Sequence, residues 1–130
     1  MKITIAAVGK IKEGYWEAAI AEYTKRLGRY IKLEIFSVAD EKTPDGASPA
    51  LEAQIKEREG ERILAKIRPD AYVIALAIEG KMLDSVELAK KIEKLRVDGN
   101  GQVVFIIGGS LGLSDAVLRR ADFLLSFSKM

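Results

Sequence analysis

The sequence predicts a single α/β domain, residues 1–130, with a mainly parallel twisted sheet and helices on both of its faces. Three observations support this fold class. Hydrophobic residues alternate between a strand-like and a helix-like period, in the order βαβαβαβαβ. Residues 71–78 and 102–107 are almost wholly apolar, which is typical of strands buried on both faces of a parallel sheet. The 130 residues contain no repeat, low-complexity tract or linker that would indicate a second domain.

The N-terminal part predicts two strands around one helix. Lys2–Val8 is a short apolar run rich in β-branched residues, and residues 33–38 alternate apolar and polar side chains. Between these two strands, apolar residues recur with helical spacing. They are Trp16, Ile20, Tyr23, Leu27 and Tyr30. The charged, turn-rich residues 40–48 then predict a mobile loop.

The second helix is predicted from its cap and its apolar face. Ser48 is expected to be the N-cap and Pro49 the first helical residue, while Pro69 stops the helix. The apolar face contains Leu51, Ile55, Ile63 and Ile67. The charged run 56–62 is expected to form the solvated side of this helix.

The remaining elements follow in the same alternation. Residues 71–78 are a buried strand, and Asp84 with Glu87 predicts a capping box at the start of a third helix. Residues 102–107 are the next buried strand, residues 114–121 a short capped helix and residues 123–128 the last strand.

The composition excludes several kinds of chemistry. The chain has no cysteine and no histidine, which removes thiolate metal sites, cysteine nucleophiles and the usual general base near neutral pH. We therefore expect no metal. No run is long and apolar enough for a signal peptide or a membrane-spanning helix, so we expect a cytoplasmic protein with no membrane partner.

The charge is distributed unevenly. The net charge is only +2, yet residues 1–32 hold seven basic and three acidic side chains. A basic N-terminal region is a weak pointer to a polyanionic partner, and on charge alone a solvated helix face is the preferred explanation.

Glycine-rich loops follow two of the predicted strands. Residues 9–14 fit neither a dinucleotide-binding fingerprint nor a phosphate-binding loop. Residues 108–112 match the G-x-S-x-G pattern of serine hydrolases, but no histidine is present to activate Ser110, and a hydrolase is excluded. The glycines are instead expected to let a flat ligand approach the backbone, or simply to form tight turns.

Several segments together resemble the SPOUT superfamily of RNA methyltransferases. They are residues 1–10, 22–27, 76–81, 108–114 and 125–130. Within the superfamily, the resemblance is to the enzymes that methylate N3 of a pseudouridine in 23S ribosomal RNA, and it extends over the whole chain.

This resemblance implies methyl transfer from S-adenosyl-L-methionine, a 23S rRNA substrate within the ribosome, and a homodimer. It places the cofactor against six residues: Leu76, Gly108, Phe127, Ser128, Lys129 and Met130. It names no general base. The basic residues of the first helix and its approach are then expected to touch rRNA phosphates; they are Lys10, Lys12, Lys25, Arg26 and Arg29.

Members of the family continue beyond the segment that matches residues 125–130. If this chain is a shortened member, we expect an incomplete trefoil knot, weak or no cofactor binding and impaired dimerisation. Two other hypotheses remain open at this point. One is a non-catalytic RNA- or ribosome-binding α/β module, and the other is a knotted protein shortened for folding studies.

Overall fold

Five parallel strands form one sheet, and four helices connect them. The computed structural model describes residues 1–128. The elements are β1 Lys2–Val8, α1 Gly14–Leu27, β2 Lys32–Val38, α2 Pro49–Leu64, β3 Tyr72–Met82, α3 Ser85–Val97, β4 Gln102–Ile107, α4 Asp115–Arg120 and β5 Phe123–Ser126. The strand order is β2-β1-β4-β3-β5, and each neighbouring pair is parallel. The predicted fold class is confirmed.

The core lies on both faces of the sheet. Right-handed crossovers put α1 and α3 over one face and α2 and α4 over the other. On the α2 and α4 face, buried residues form one cluster: Ala6, Val38, Ile63, Ala71, Val73, Val104, Ile106 and Val117. On the α3 face, a second cluster contains Ile3, Ile74, Leu95, Val103 and Leu125.

The apolar stripe of α1 does not enter this core. The helix forms as predicted, but it packs beside the edge strand β2 and none of its residues is buried. Trp16 is 56% exposed and Tyr23 is 62% exposed. Helical periodicity therefore predicts the helix correctly, but much of its apolar face is exposed.

The predicted caps are present. The Ser48 hydroxyl accepts a hydrogen bond from the Leu51 amide at 3.2 Å, and Asp84 forms a reciprocal capping box with Glu87. Some boundaries differ from the prediction. Helix α2 ends at Leu64, so Ile67 lies beyond it, and β5 ends at Ser126.

The prediction that residues 56–62 form a solvated side is wrong at two positions. Glu59 is 5% exposed and Gly60 is buried, because this turn of α2 packs against the loop that follows β4. A Cβ on Gly60 would collide with the Ser114 hydroxyl. Because Glu59 lies among other charged residues, the sequence pattern does not indicate that it is buried.

Strand β3 is longer than predicted because its second half crosses β5. Leu125 pairs with Leu76 and again with Lys81, so residues 76 and 81 lie at opposite edges of β5. Gly80 lies at the crossing, where a Cβ would be only 2.7 Å from the Leu124 carbonyl carbon. Glycine is therefore required for this close approach of two backbones.

No helix within residues 1–128 combines the length and hydropathy that crossing a membrane requires.

Candidate functional site

A cleft opens at the carboxyl end of the sheet, where β3 and β5 lie side by side. Its volume is about 230 Å³, and it is lined by residues 76–78 and 125–128. Ile78 and Phe127 are 71% and 72% exposed, which is unusual for large apolar side chains. The carboxyl ends of parallel strands are where α/β proteins bind ligands. The strand order reverses between β1 and β4, however, so this cleft is not at the reversal.

A buried hydroxyl stabilises the exit of β5. Ser126 is 3% exposed, and its Oγ donates a hydrogen bond to the Ser128 carbonyl at 2.7 Å. The bond folds residues 126–128 into a tight turn beside Leu76. The cleft therefore combines apolar side chains with a fixed stretch of main chain, which suits a flat, partly apolar ligand.

A second cavity adjoins the first. Residues 76–79 also line this space of about 400 Å³, together with residues 111–113 of the loop after β4. Residues 76–78, in the middle of β3, thus form a ridge between the two cavities. Lys56, Glu79 and Asp115 contribute charged groups to the lining of this second cavity.

Gly108 and Gly109 do not offer the open space that the sequence predicts. A Cβ on Gly108 would lie 2.9 Å from Leu113 Cδ2, and a Cβ on Gly109 would lie 3.1 Å from Glu59 Oε1. Packing within the protein therefore explains both glycines. Gly112 does face open space and has a positive φ of 92°.

The predicted cofactor residues are only partly brought together. Leu76, Phe127 and Ser128 line the first cleft, whereas Gly108 lines neither cavity. Lys129 and Met130 lie outside the described residues. Sequence reasoning missed Ala77, Ile78, Leu125 and Ser126, which are direct neighbours of the predicted positions.

Comparison with known proteins identifies the family. Residues 1–130 match the family model described as "Predicted SPOUT methyltransferase". The chain belongs to the SPOUT methyltransferase family. It is 65% identical over 130 residues to the ribosomal RNA large subunit methyltransferase H of Bifidobacterium adolescentis. It is 59% identical over 130 residues to the protein of the same name from Bacillus pumilus. Both alignments cover 100% of this chain and 82% of the relative.

The family match favours a methyltransferase over the non-catalytic binding module. It also agrees with the exclusion of a hydrolase at Ser110. Among residues 1–128, no group of three or more acidic side chains is placed to hold a metal ion.

Two side chains of α2 contact the loops that follow β2 and β4. Glu59 Oε2 accepts a hydrogen bond from the Glu41 amide at 3.0 Å, and Arg62 donates to the Ala39 carbonyl at 2.8 Å. Arg62 also forms an ion pair with the Glu41 carboxylate. Helix α2 thus holds the loop after β2, while Glu59 contacts the loop after β4. The sequence carries one signal for these contacts. Glycine inside a helix costs about 1 kcal/mol of stability relative to alanine, so Gly60 indicates that close packing leaves no room for a side chain there.

The basic residues predicted to contact RNA are exposed, as that role requires. They are Lys10, Lys12, Lys25, Arg26 and Arg29. Arg26 Nε forms an ion pair with Glu22 at 3.0 Å, so part of this positive charge is already neutralised.

Proposed function

We propose that this protein methylates large-subunit ribosomal RNA, with S-adenosyl-L-methionine as the methyl donor and N3 of a pseudouridine in 23S rRNA as the acceptor. The observation that carries the proposal is the cleft at the exits of β3 and β5 in a chain of the SPOUT methyltransferase family. The two relatives carry names that specify large-subunit rRNA methylation, and their identities of 65% and 59% support the same activity here.

The residues of the cleft fit such a cofactor. Leu76, Ile78 and Phe127 offer apolar surface for a planar base, and the turn at residues 126–128 offers main-chain groups for its polar edge. Gly108 is proposed to contribute through its backbone, since Leu113 occupies the space beside its Cα. Lys129 and Met130 remain proposed contacts from the resemblance alone.

The chemistry requires positioning more than acid or base groups. The bound cofactor supplies a methyl group on a positively charged sulfur. The protein has to hold that group in line with N3 of the base and keep both reactants oriented, which by itself supplies a large part of a rate enhancement. N3 of neutral pseudouridine carries a proton, which passes to solvent water as the nitrogen–carbon bond forms, the carbon–sulfur bond breaks and the neutral thioether leaves. Apolar walls and a fixed main-chain turn are suited to this task, and neither histidine nor cysteine is needed for it.

We also propose a homodimer that works in the cytoplasm on RNA held in the ribosome. The exposed apolar side chains of α1 support an interface between two copies, because a soluble monomer seldom exposes such a stripe. The exposed basic residues on and before α1 support contacts with RNA phosphates.

A methyl-transfer assay tests this function. The protein is incubated with S-adenosyl-L-methionine carrying a tritiated methyl group and with ribosomes that lack the modification. We expect label in 23S rRNA, and we expect Phe127→Ala to reduce the rate about tenfold or more through lost cofactor packing. Val97→Ala is the control, because Val97 is 69% exposed and ends α3, towards the amino end of the strands.

Failure to label rRNA while the protein still binds it would favour the non-catalytic alternative. Equal rates for the Phe127→Ala and Val97→Ala variants would contradict the location of the cofactor cleft without contradicting methylation itself.

A further inference from the structure

A lysine-rich groove runs along the outer side of β5, beside α3. Its volume is about 360 Å³. We call it the lysine groove, and it is lined by Lys81, Leu83, Glu87, Lys90, Lys91, Lys94 and Phe123. Four of these residues carry a positive charge and one carries a negative charge. A concave surface with this balance attracts a polyanion.

The positive charges of the groove are poorly compensated. Lys81 and Lys90 are exposed and form no ion pair within residues 1–128. Lys94 pairs with Asp98 at 3.1 Å on the exposed face of α3. The Glu87 carboxylate is engaged in the capping box, where it accepts a hydrogen bond from the Asp84 amide at 3.0 Å.

Two aromatic rings hold one of the lysines in place. Lys91 Nζ lies 4.0 Å from the centroid of the Phe123 ring and 5.6 Å from that of Tyr72. These contacts restrict a side chain that is otherwise costly to order. The groove therefore contains an amine that is already positioned before any ligand arrives.

The groove and the candidate cofactor cleft share the same two elements. Lys81 belongs to the segment of β3 that crosses β5, and it pairs with Leu125, which lines the cleft. Phe123 of the groove and Phe127 of the cleft are four residues apart, about 13 Å along an extended chain. A strand of nucleic acid lying in the groove could thus reach the cleft without leaving the surface of the protein.

We propose that the lysine groove binds the phosphate backbone of the RNA substrate next to the methyl-transfer site. Separate amines without a rigid fork of donors suit repeated phosphates rather than a single bidentate carboxylate. The inference rests on the proposed function for the identity of the polyanion. It adds a second basic surface to that of α1.

Binding of a fluorescein-labelled hairpin from large-subunit rRNA, measured by anisotropy at several salt concentrations, tests the proposal. The double variant Lys81→Gln and Lys90→Gln is compared with Arg58→Gln and Arg119→Gln. The control arginines are exposed on α2 and α4, form no ion pair within the described part of the chain, and remove the same net charge. Circular dichroism checks that both variants are folded.

We expect the lysine variant to bind about tenfold more weakly, with a salt slope reduced by about 2, while the arginine variant keeps the slope of the unmodified protein. Lys91→Met, which keeps the aromatic packing and removes the charge, should also weaken binding. Equal slopes for the two double variants would overturn the lysine groove while leaving RNA methylation intact. No binding of the hairpin by the unmodified protein would overturn both the groove and the proposed RNA substrate.

Discussion

Glu59 connects three parts of the molecule through one buried carboxylate. Its Oε2 accepts the Glu41 amide, and its Oε1 fills the space beside Gly109. Glu59 is therefore close to the loops that follow β2 and β4 while it belongs to α2. A carboxylate in such a place is tolerated only when hydrogen bonds replace the water it has lost.

Replacing Glu59 by alanine should destabilise the protein by about 1–3 kcal/mol, because the Glu41 amide loses its partner and a cavity forms beside Gly109. Urea unfolding followed by circular dichroism measures the change. Glu57→Ala is the matched control on the same helix, where an exposed carboxylate should change stability by less than about 0.5 kcal/mol. Equal effects of the two substitutions would show that the buried contacts of Glu59 contribute nothing.

The crossing of β3 over β5 requires the two backbones to lie in close contact, with no side chain between them. Gly80 approaches the backbone of Leu124 and Leu125 so closely that a Cβ would lie 2.7–2.8 Å from their atoms. Backbone cannot move aside as a flexible side chain can. The crossing also carries Lys81 to the outer edge of β5 and leaves residues 76–78 at the cleft.

Gly80→Ala should therefore cost about 1–3 kcal/mol or more of folding stability, because the crossing segment has to move away from β5. It should also weaken cofactor binding, since residues 76–78 belong to the same segment. Thermal unfolding and calorimetric titration measure the two effects. Gly101→Ala is the control, because a Cβ there has no atom within 4 Å. A Gly80→Ala protein as stable as the control would contradict the crossing.

Elements with strong local signals could be predicted from the sequence. The capping box at Asp84 and the apolar run of β4 depend on neighbouring residues alone, and both were predicted correctly. The burial of Glu59 and the crossing at Gly80 depend on segments far apart in the chain. A charged residue is expected to be exposed, and a single glycine in a sequence does not indicate a close backbone contact. No local pattern in the sequence therefore reveals either feature.

The candidate site was predictable to a similar extent. Resemblance pointed to Leu76, Phe127 and Ser128, which share one cleft. The role expected for Gly108 differs, because the loop after β4 folds back so that Leu113 fills the space that a ligand was expected to use. Loop packing of this kind follows from tertiary contacts and has no periodic signature.

At the scale of the whole molecule, the two faces of the sheet are unequal. The α2 and α4 face is closed by a buried cluster, whereas the α1 side leaves an apolar stripe exposed. We expect this stripe to lie in the proposed interface between two copies. Trp16→Glu should lower the average mass in sedimentation velocity at a given concentration, because it places a charge in that interface.

Val97→Glu is the control for this substitution, since Val97 is equally apolar and exposed but lies at the end of α3. A monomer mass at every concentration of the unmodified protein, or a mass that falls equally in both variants, would contradict an interface at α1.

The central claim is that the cleft between the exits of β3 and β5 holds the methyl donor. Nuclear magnetic resonance of the amide-labelled protein during titration with S-adenosyl-L-methionine tests it most directly. We predict that the amide signals of residues 76–78 and 125–128 shift with a common dissociation constant, while those of residues 99–102 at the amino end of the sheet do not move. Shifts confined to residues 9–12 after β1, or no shifts at saturating concentrations, would contradict the account.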